Sequence, residues 1–410
     1  MGLDAPLYGP RRIARKSQLV GILERLCEAL ELSAAQYEVA KKRYEGVGKW
    51  LAAADDPLLR TLSIYLQGST ALGTTVKPIG RNEHDVDLVG HVAGGGGTPP
   101  RILKKLIGDR LRENGYYRPL LEEMPRCWRL NYANEFHQDI TPSMPNPLCA
   151  NGGELVPDKT LREWIPSNPK GYRRLFEQRA AMQPRMRLAK STVFRGDARA
   201  DIEPYPSVGG FKGILRRTVQ IGKRHRDVYF DTLDPALVPI SVILTTLAAR
   251  SYEYCATHFI YDTELDLVCD IVRHMPDTIE TQVIGGRPLW FIWNETTGGE
   301  NFAEKWNRDP HRAEAFFAWH RQALRDLEML AATEGLDQLS KTLRGVFGQA
   351  PVAKAMDSLT NEVSGARSDG RIGVAPGVGL TVGAPRATAV RPNTFFGAPM
   401  KPCDTTARVR

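Results

Sequence analysis

Two short strands, each marked at one place by residues suited to phosphate or metal, restrict this chain more than any bulk property does. The first, Ile64-Tyr65-Leu66-Gln67, is apolar and stops at Gly68-Ser69. A backbone without a Cβ there lets amide N–H groups and a hydroxyl approach a phosphate closely. The second, Asp85-Val86-Asp87-Leu88-Val89, alternates charged and apolar residues with period two. On a strand that period sends Asp85 and Asp87 to one face and Val86 and Leu88 into the core. Two carboxylates so placed repel unless a cation neutralises them, and hard divalent cations take oxygen ligands.

A third carboxylate would complete such a site. Asp139 lies in Glu135-Phe136-His137-Gln138-Asp139-Ile140-Thr141-Pro142, a strand ended by proline, and Arg126-Cys127-Trp128-Arg129-Leu130-Asn131-Tyr132 before it also alternates. Ala133-Asn134 reads as the turn of a hairpin that brings Asp139 beside the Asp85 strand. Each member alone has a plain structural reading, since Gly-Ser pairs end many loops and an Asp-x-Asp ends many strands. The ordered set, with a strand at each member, is what points to nucleotide chemistry.

The run Gln67-Gly68-Ser69-Thr70-Ala71-Leu72-Gly73-Thr74-Thr75, then Asp85-Val86-Asp87-Leu88-Val89, then His137-Gln138-Asp139-Ile140-Thr141-Pro142-Ser143 resembles the bacterial cGAS/DncV-like nucleotidyltransferases, cyclic oligonucleotide synthases of anti-phage CBASS systems. Ser167-Asn168-Pro169-Lys170-Gly171-Tyr172, residues 223–230 and residues 239–248 are similar to further segments of those enzymes, so the likeness covers about residues 30 to 350. The interval from Ser69 to Asp85 is longer than in many polymerase-β-like transferases, and it sets the loop from Lys77 to Asn82 beside the site.

The resemblance implies an α+β fold: a polymerase-β-like nucleotidyltransferase lobe built on a mixed sheet, and a C-terminal helical lobe of the oligoadenylate-synthase type. The expected divisions are N-terminal helices bracing both lobes (1–60), the catalytic core (61–210), a helical lobe closing the nucleotide cleft (211–360) and a flexible Gly/Pro/Ala-rich tail (361–410). It implies Mg²⁺, with Mn²⁺ as a substitute, held by Asp85, Asp87 and Asp139 as catalytic ligands. Gly68 and Ser69 would hold the donor's β and γ phosphates, and Lys223 and Ser241 would reach the triphosphate from the other lobe. The expected reaction joins ribonucleoside triphosphates such as ATP into a cyclic di- or trinucleotide with release of pyrophosphate. A downstream effector that binds the product and regulatory partner proteins are implied as well.

Elsewhere the chain reads as an ordinary globular enzyme. Its formal charge of +8 mildly favours anionic ligands, nucleic acid among them. Six cysteines, Cys27, Cys127, Cys149, Cys255, Cys269 and Cys403, are scattered without a C-x-x-C, against a zinc ribbon or disulfide framework and in keeping with a reducing cytoplasm. No leader and no long apolar run is seen, so neither export nor a membrane partner is expected. Leu19, Ile22, Leu23, Leu26 and Leu30 follow helical spacing. Ser33 with Gln36 makes a capping box for a second helix carrying Tyr37, Ala40, Tyr44, Val47 and Leu51 on one face.

Pro204, Pro206 and Gly209-Gly210 mark the expected break between lobes, and Ile240 to Ala249 the expected buried helix. Arg216, Arg217, Lys223, Arg224, His225 and Arg226 fall on one predicted helix, and apart from Lys223 they read as a solvated face. Residues 291–306 read as loop followed by packing, and His311 to Leu330 as an amphipathic helix. From about Gly365 too few large apolar residues remain to order a segment, although Phe395-Phe396 interrupts the tail.

Two other classes use overlapping features. A template-free RNA-terminal transferase would need the same carboxylates, but no RNA-binding appendage is evident. A non-catalytic nucleotide or nucleic-acid sensor would keep the fold without needing three aligned acids.

Overall fold

The structure, a computed structural model, describes residues 5–80, 84–132, 136–187, 212–369, 371–375, 379–382 and 388–389. Arg81 and Asn82 of the expected loop, the Ala133-Asn134 turn, the Pro204–Gly210 break, Phe395-Phe396 and Cys403 lie outside the described residues. The chain divides into two compact units, Lys16–Ala355 and the termini, Met1–Arg15 with Met356–Arg410.

The first half holds helices α1 (Ala5–Ala29) and α2 (Ala34–Ala52), strand β1 (Leu62–Leu66), the short helix α3 (Gly68–Leu72), β2 (His84–Val92), α4 (Pro100–Glu113), β3 (Leu121–Glu123), β4 (Trp128–Tyr132), β5 (Phe136–Pro145), β6 (Glu154–Pro157), β7 (Trp164–Ser167), α5 (Pro169–Ala180) and β8 (Arg185–Met186). Strands β1-β2-β5-β4-β3 neighbour one another in that order, β6 pairs β5, and β7 pairs β6. Only β2 and β5 run parallel within this sheet; the other pairs are antiparallel, so the sheet is mixed as expected. A parallel pair needs a long crossover, and α4 supplies its helical part.

Period-two patterning explains why these segments are strands. Trp128, Leu130 and Tyr132 of β4, and Phe136, Gln138 and Ile140 of β5, are buried while the residues between them are half-buried. Helix α4 lays Leu103, Ile107 and Leu111, none of them exposed, on that layer. Contact is close at Gly108, where a Cβ would stand 2.2 Å from the Trp128 ring, and Trp128 Nε1 donates to Lys104 O at 2.7 Å. Helix α2 begins with the expected capping box, Ser33 and Gln36 bonding reciprocally. It buries Ala40, Tyr44, Val47 and Leu51 in the same core.

The second half holds α6 (Gly213–Tyr229), α7 (Ser241–His258), β9 (Ile260–Tyr261), α8 (Glu264–His274), the hairpin β10 (Glu280–Ile284) and β11 (Arg287–Phe291), α9 (Glu304–Arg308), α10 (His311–Ala332), α11 (Leu336–Phe347) and α12 (Gln349–Ser368). Helix α7 is the expected apolar helix, with Leu244, Leu247 and Ala248 among its buried residues. The stretch Pro235–His258 is long and apolar enough to cross a membrane, but over half of it is buried in the fold, as a core helix would be.

One expectation gives way here, and one element was not anticipated: residues 280–291 form the hairpin β10–β11, while the loop and packing expected for residues 291–306 are found, with Trp306 buried. Strands β12 (Ile372–Ala375), β13 (Gly379–Val382) and β14 (Thr388–Ala389) form a small antiparallel sheet where an unordered tail was expected. Ile372-Gly373-Val374-Ala375 and Gly379-Leu380-Thr381-Val382 have strand-like composition that the Gly and Pro around them obscure.

Candidate active site

Strand β1 delivers the chain to Gln67, whose amide donates to Asp87 O at 2.9 Å and fixes the Gly-Ser turn against β2. Gly68 has a φ of +64°, and a Cβ there would lie 2.5 Å from Asp87 Oδ2. Only glycine meets both demands. Gly68 and Ser69, at the end of β1, open the five-residue helix α3.

The parallel register sets Asp87 opposite Asp139 and Asp85 opposite His137. In the antiparallel hairpin Arg129 stands opposite Asp139 and grips it with Nε on Oδ1 and Nη2 on Oδ2, both at 2.7 Å. Burial, helped by the charges of Asp139 and Asp85, pushes the Asp87 carboxyl up to about 7, against the pull of Arg129 and Lys223.

A cavity of about 540 Å³ opens over this corner, and Gly68, Ser69, Asp85, Asp87, Lys223 and Ser241 all line it. Asp139 is not among the lining residues; it stands beside Asp87 on the neighbouring strand, held by Arg129. Among the described residues no three of His, Cys, Asp and Glu stand close enough, as placed, to cage an ion. The donor set still suits a hard divalent cation. Asp85 and Asp87 offer carboxylate oxygens to the cavity, and burial, with the charges of Asp139 and Asp85 beside it, favours the protonated form of Asp87 until a cation offsets them. Asp139, with about four acceptor positions of which the Arg129 fork takes two, keeps capacity to join them.

The far wall comes from α6 and α7. Lys223 is only 4% exposed and donates to both Thr74 O and Thr74 Oγ1 at 3.1 Å. Burial, then the nearby Arg226 charge, pulls its ammonium down to about 7. Ser241 opens α7 and accepts a hydrogen bond from Arg226 Nη1 at 3.0 Å. Around Lys223, Arg216 Nε donates to Leu72 O at 2.9 Å and Gln220 Nε2 to Thr75 O at 3.0 Å, so one helix holds the strap that follows α3.

The solvated-face reading of α6 is corrected. Arg217, Lys223, Arg224 and His225 are all buried. Arg217 pairs with Glu24 and Glu31 of the α1 region, Arg224 Nε donates to Phe347 O at 2.8 Å, and His225 Nε2 meets Asp326 of α10 at 3.0 Å. Buried charges need such partners, and these come from positions 24 to 347, which no local pattern discloses.

Sequence reasoning also missed Arg226, Tyr172, Phe302, Asn294 and Glu300 as lining residues. Tyr172 and Phe302 meet edge to face at 5.9 Å. Burial raises the Glu300 carboxyl, which accepts from Asn294 Nδ2 at 2.8 Å and from Ser167 Oγ at 3.2 Å. Phe302 and Glu300 reach Tyr172 and Ser167 only through the tertiary fold.

Comparison with known proteins gives the family. Residues 18–179 match the model of the Second Messenger Oligonucleotide or Dinucleotide Synthetase domain. A c-di-GMP synthase of Roseivirga ehrenbergii is 32% identical over 387 residues, 93% of this chain and 98% of that protein. The cyclic dinucleotide synthase CdnG of Bradyrhizobium diazoefficiens is 25% identical over 84% of each. The solved structure of that CdnG with GTP superposes with a TM-score of 0.65 at 21% identity, covering 83% of this chain and 97% of its own. Escherichia coli CdnC with ATP gives 0.57 at 12%, covering 80% and 97%. These two share the fold. The sheet corner, the cavity and a relative this similar along nearly the whole chain lead to one conclusion: the chain belongs to the bacterial cGAS/DncV-like nucleotidyltransferases, the synthases of cyclic oligonucleotide second messengers.

Proposed function

We propose that this member of the family uses GTP, with Mg²⁺ or Mn²⁺, to build a cyclic dinucleotide that signals phage infection to an effector in a reducing cytoplasm. The observation that carries the reading is the register that sets Asp139 beside Asp87, with Asp85 and Asp87 facing the cavity. GTP is favoured by the names of the relatives, a c-di-GMP synthase and a CdnG seen with GTP. The five described cysteines are all free thiols, in keeping with a reducing compartment.

Asp85, Asp87 and Asp139 would hold the divalent cations, which when bound lower the pKa of the attacking hydroxyl and neutralise charge on the departing oxygens. The Gly68 amide and Ser69 hydroxyl cradle the donor's β and γ phosphates, and Lys223 and Ser241 meet them from the opposite wall. A ribose hydroxyl of the acceptor attacks the donor's α-phosphorus. The new O–P bond forms as the bond to pyrophosphate breaks, and Asp139, once freed in part from the Arg129 fork, would take the hydroxyl proton. Tyr172 and Phe302 offer aromatic surface for a base. Repetition on the linear intermediate closes the ring and releases a second pyrophosphate.

The test is incubation of the full chain with labelled GTP, ATP or both, with Mg²⁺, with and without an RNA primer. Short products that resist phosphatase, formed from GTP without primer, are expected. Label confined to an extended primer would assign the chain to RNA-terminal transferases, and nucleotide binding without any product would make it a sensor.

A further inference from the structure

Arg226 lies one helical turn beyond Lys223 and also lines the cavity, yet its side chain is nearly saturated by protein. Nε and Nη2 donate to Asp227 Oδ1 at 2.9 and 2.6 Å, and Nη1 donates to Pro239 O and to Ser241 Oγ, both at 3.0 Å. Four of the five N–H groups of its guanidinium are therefore engaged. A fork so occupied is poorly disposed to grip a phosphate directly. What it does instead is fix the entrance of α7 to the side of α6.

The consequence falls on Ser241. A serine hydroxyl has one hydrogen to give and two lone pairs to receive with. With a lone pair filled by Arg226, and with no protein acceptor for its hydrogen among the described residues, the Ser241 O–H is left to point into the cavity. An unconstrained serine at the first position of a helix would instead rotate freely or turn back on the backbone. The Arg226 charge adds to the positive field at this wall, as its effect on Lys223 shows.

We infer that Arg226 is a positioning residue for the triphosphate: by occupying the Ser241 oxygen it makes that hydroxyl a fixed donor to the polyphosphate and holds the α7 entrance in place. This rests on the reading of Ser241 as a polyphosphate contact.

Binding of a non-hydrolysable GTP analogue and of GMP to the full chain is measured by calorimetry for wild type, Arg226→Gln, Ser241→Ala and the double variant. Each single change is expected to weaken the triphosphate analogue about 5- to 30-fold. The double variant should fall within about twofold of the poorer single, because both act on one contact, and GMP affinity should hardly move. Losses that multiply in the double variant, an equal loss for GMP, or unchanged binding in Arg226→Gln would each overturn the inference while leaving the reading of Ser241 intact. An unchanged triphosphate affinity in Ser241→Ala would remove that reading and the inference with it. Should Arg226→Gln fail to melt cooperatively, Arg226→Lys decides the matter. It keeps a charge and an N–H donor near Ser241 but gives up the planar fork, so a loss of less than about tenfold in analogue affinity is expected, and a larger loss contradicts the role.

Discussion

Asp87 carries the electrostatic signature of the sheet corner. Its carboxyl, raised to about 7 by burial and two neighbouring carboxylates, favours the neutral form in the folded state. Stability from this group is therefore fully present below the ordinary carboxylate pKa near 4 and is lost as pH rises through about 7. In chelator, Asp87→Asn should be more stable than wild type by about 2 kcal/mol at pH 8, and equal to it near pH 4. That is roughly half of what the shift alone implies, because the cavity admits water. Thermal melts across that range check it, and a variant less stable at pH 8 contradicts it. The same variant should make no product. Added Mn²⁺ should raise the wild-type melting temperature more at pH 8 than at pH 5, since the carboxylate must lose its proton to bind.

At the scale of elements, the packing of α4 on β4 is a tight joint. Gly108→Ala would drive a methyl into the Trp128 ring, whose indole is tied to Lys104 O. A loss of about 1–3 kcal/mol is expected in denaturant unfolding, with triphosphate affinity little changed because Gly108 does not line the cavity. The strands were legible because Asp85-Val86-Asp87 and Trp128-Arg129-Leu130 carry period two, and α2 because Ser33 and Gln36 mark its start. Polar residues whose meaning depends on distant partners were not legible. Arg217 and His225 look like surface cations until Glu24 and Asp326 are folded against them, and Arg129 draws notice only once the register sets it across from Asp139. The hairpin β10–β11 and the strands after Ser368 were missed because glycine-rich flanks imitate loop.

Over the whole molecule, the residues assigned to nucleotide chemistry fall between Gln67 and Phe302, all within the larger compact unit. Helix α12 continues to Ser368, so a truncation within it would cut a helix. A chain ending after Ser368 should fold, bind triphosphate within about twofold of the full chain and release the same product. Melting curves and chromatography of the labelled product check this, and loss of synthesis in a folded truncation would give the small C-terminal sheet a direct part in catalysis.

The strap from Leu72 to Thr75 carries a mechanical consequence. Arg216, Gln220 and Lys223, three side chains of one helix, seize the backbone oxygens of Leu72, Thr75 and Thr74, which makes a riveted joint where a two-lobed enzyme could have had a hinge. Swinging the lobes apart here would shear those three hydrogen bonds at once, and with them the second one that Lys223 gives to Thr74 Oγ1. An enzyme jointed this way would exchange nucleotides through the mouth of the cavity rather than by parting its lobes, and the pace of exchange would be a property of that doorway.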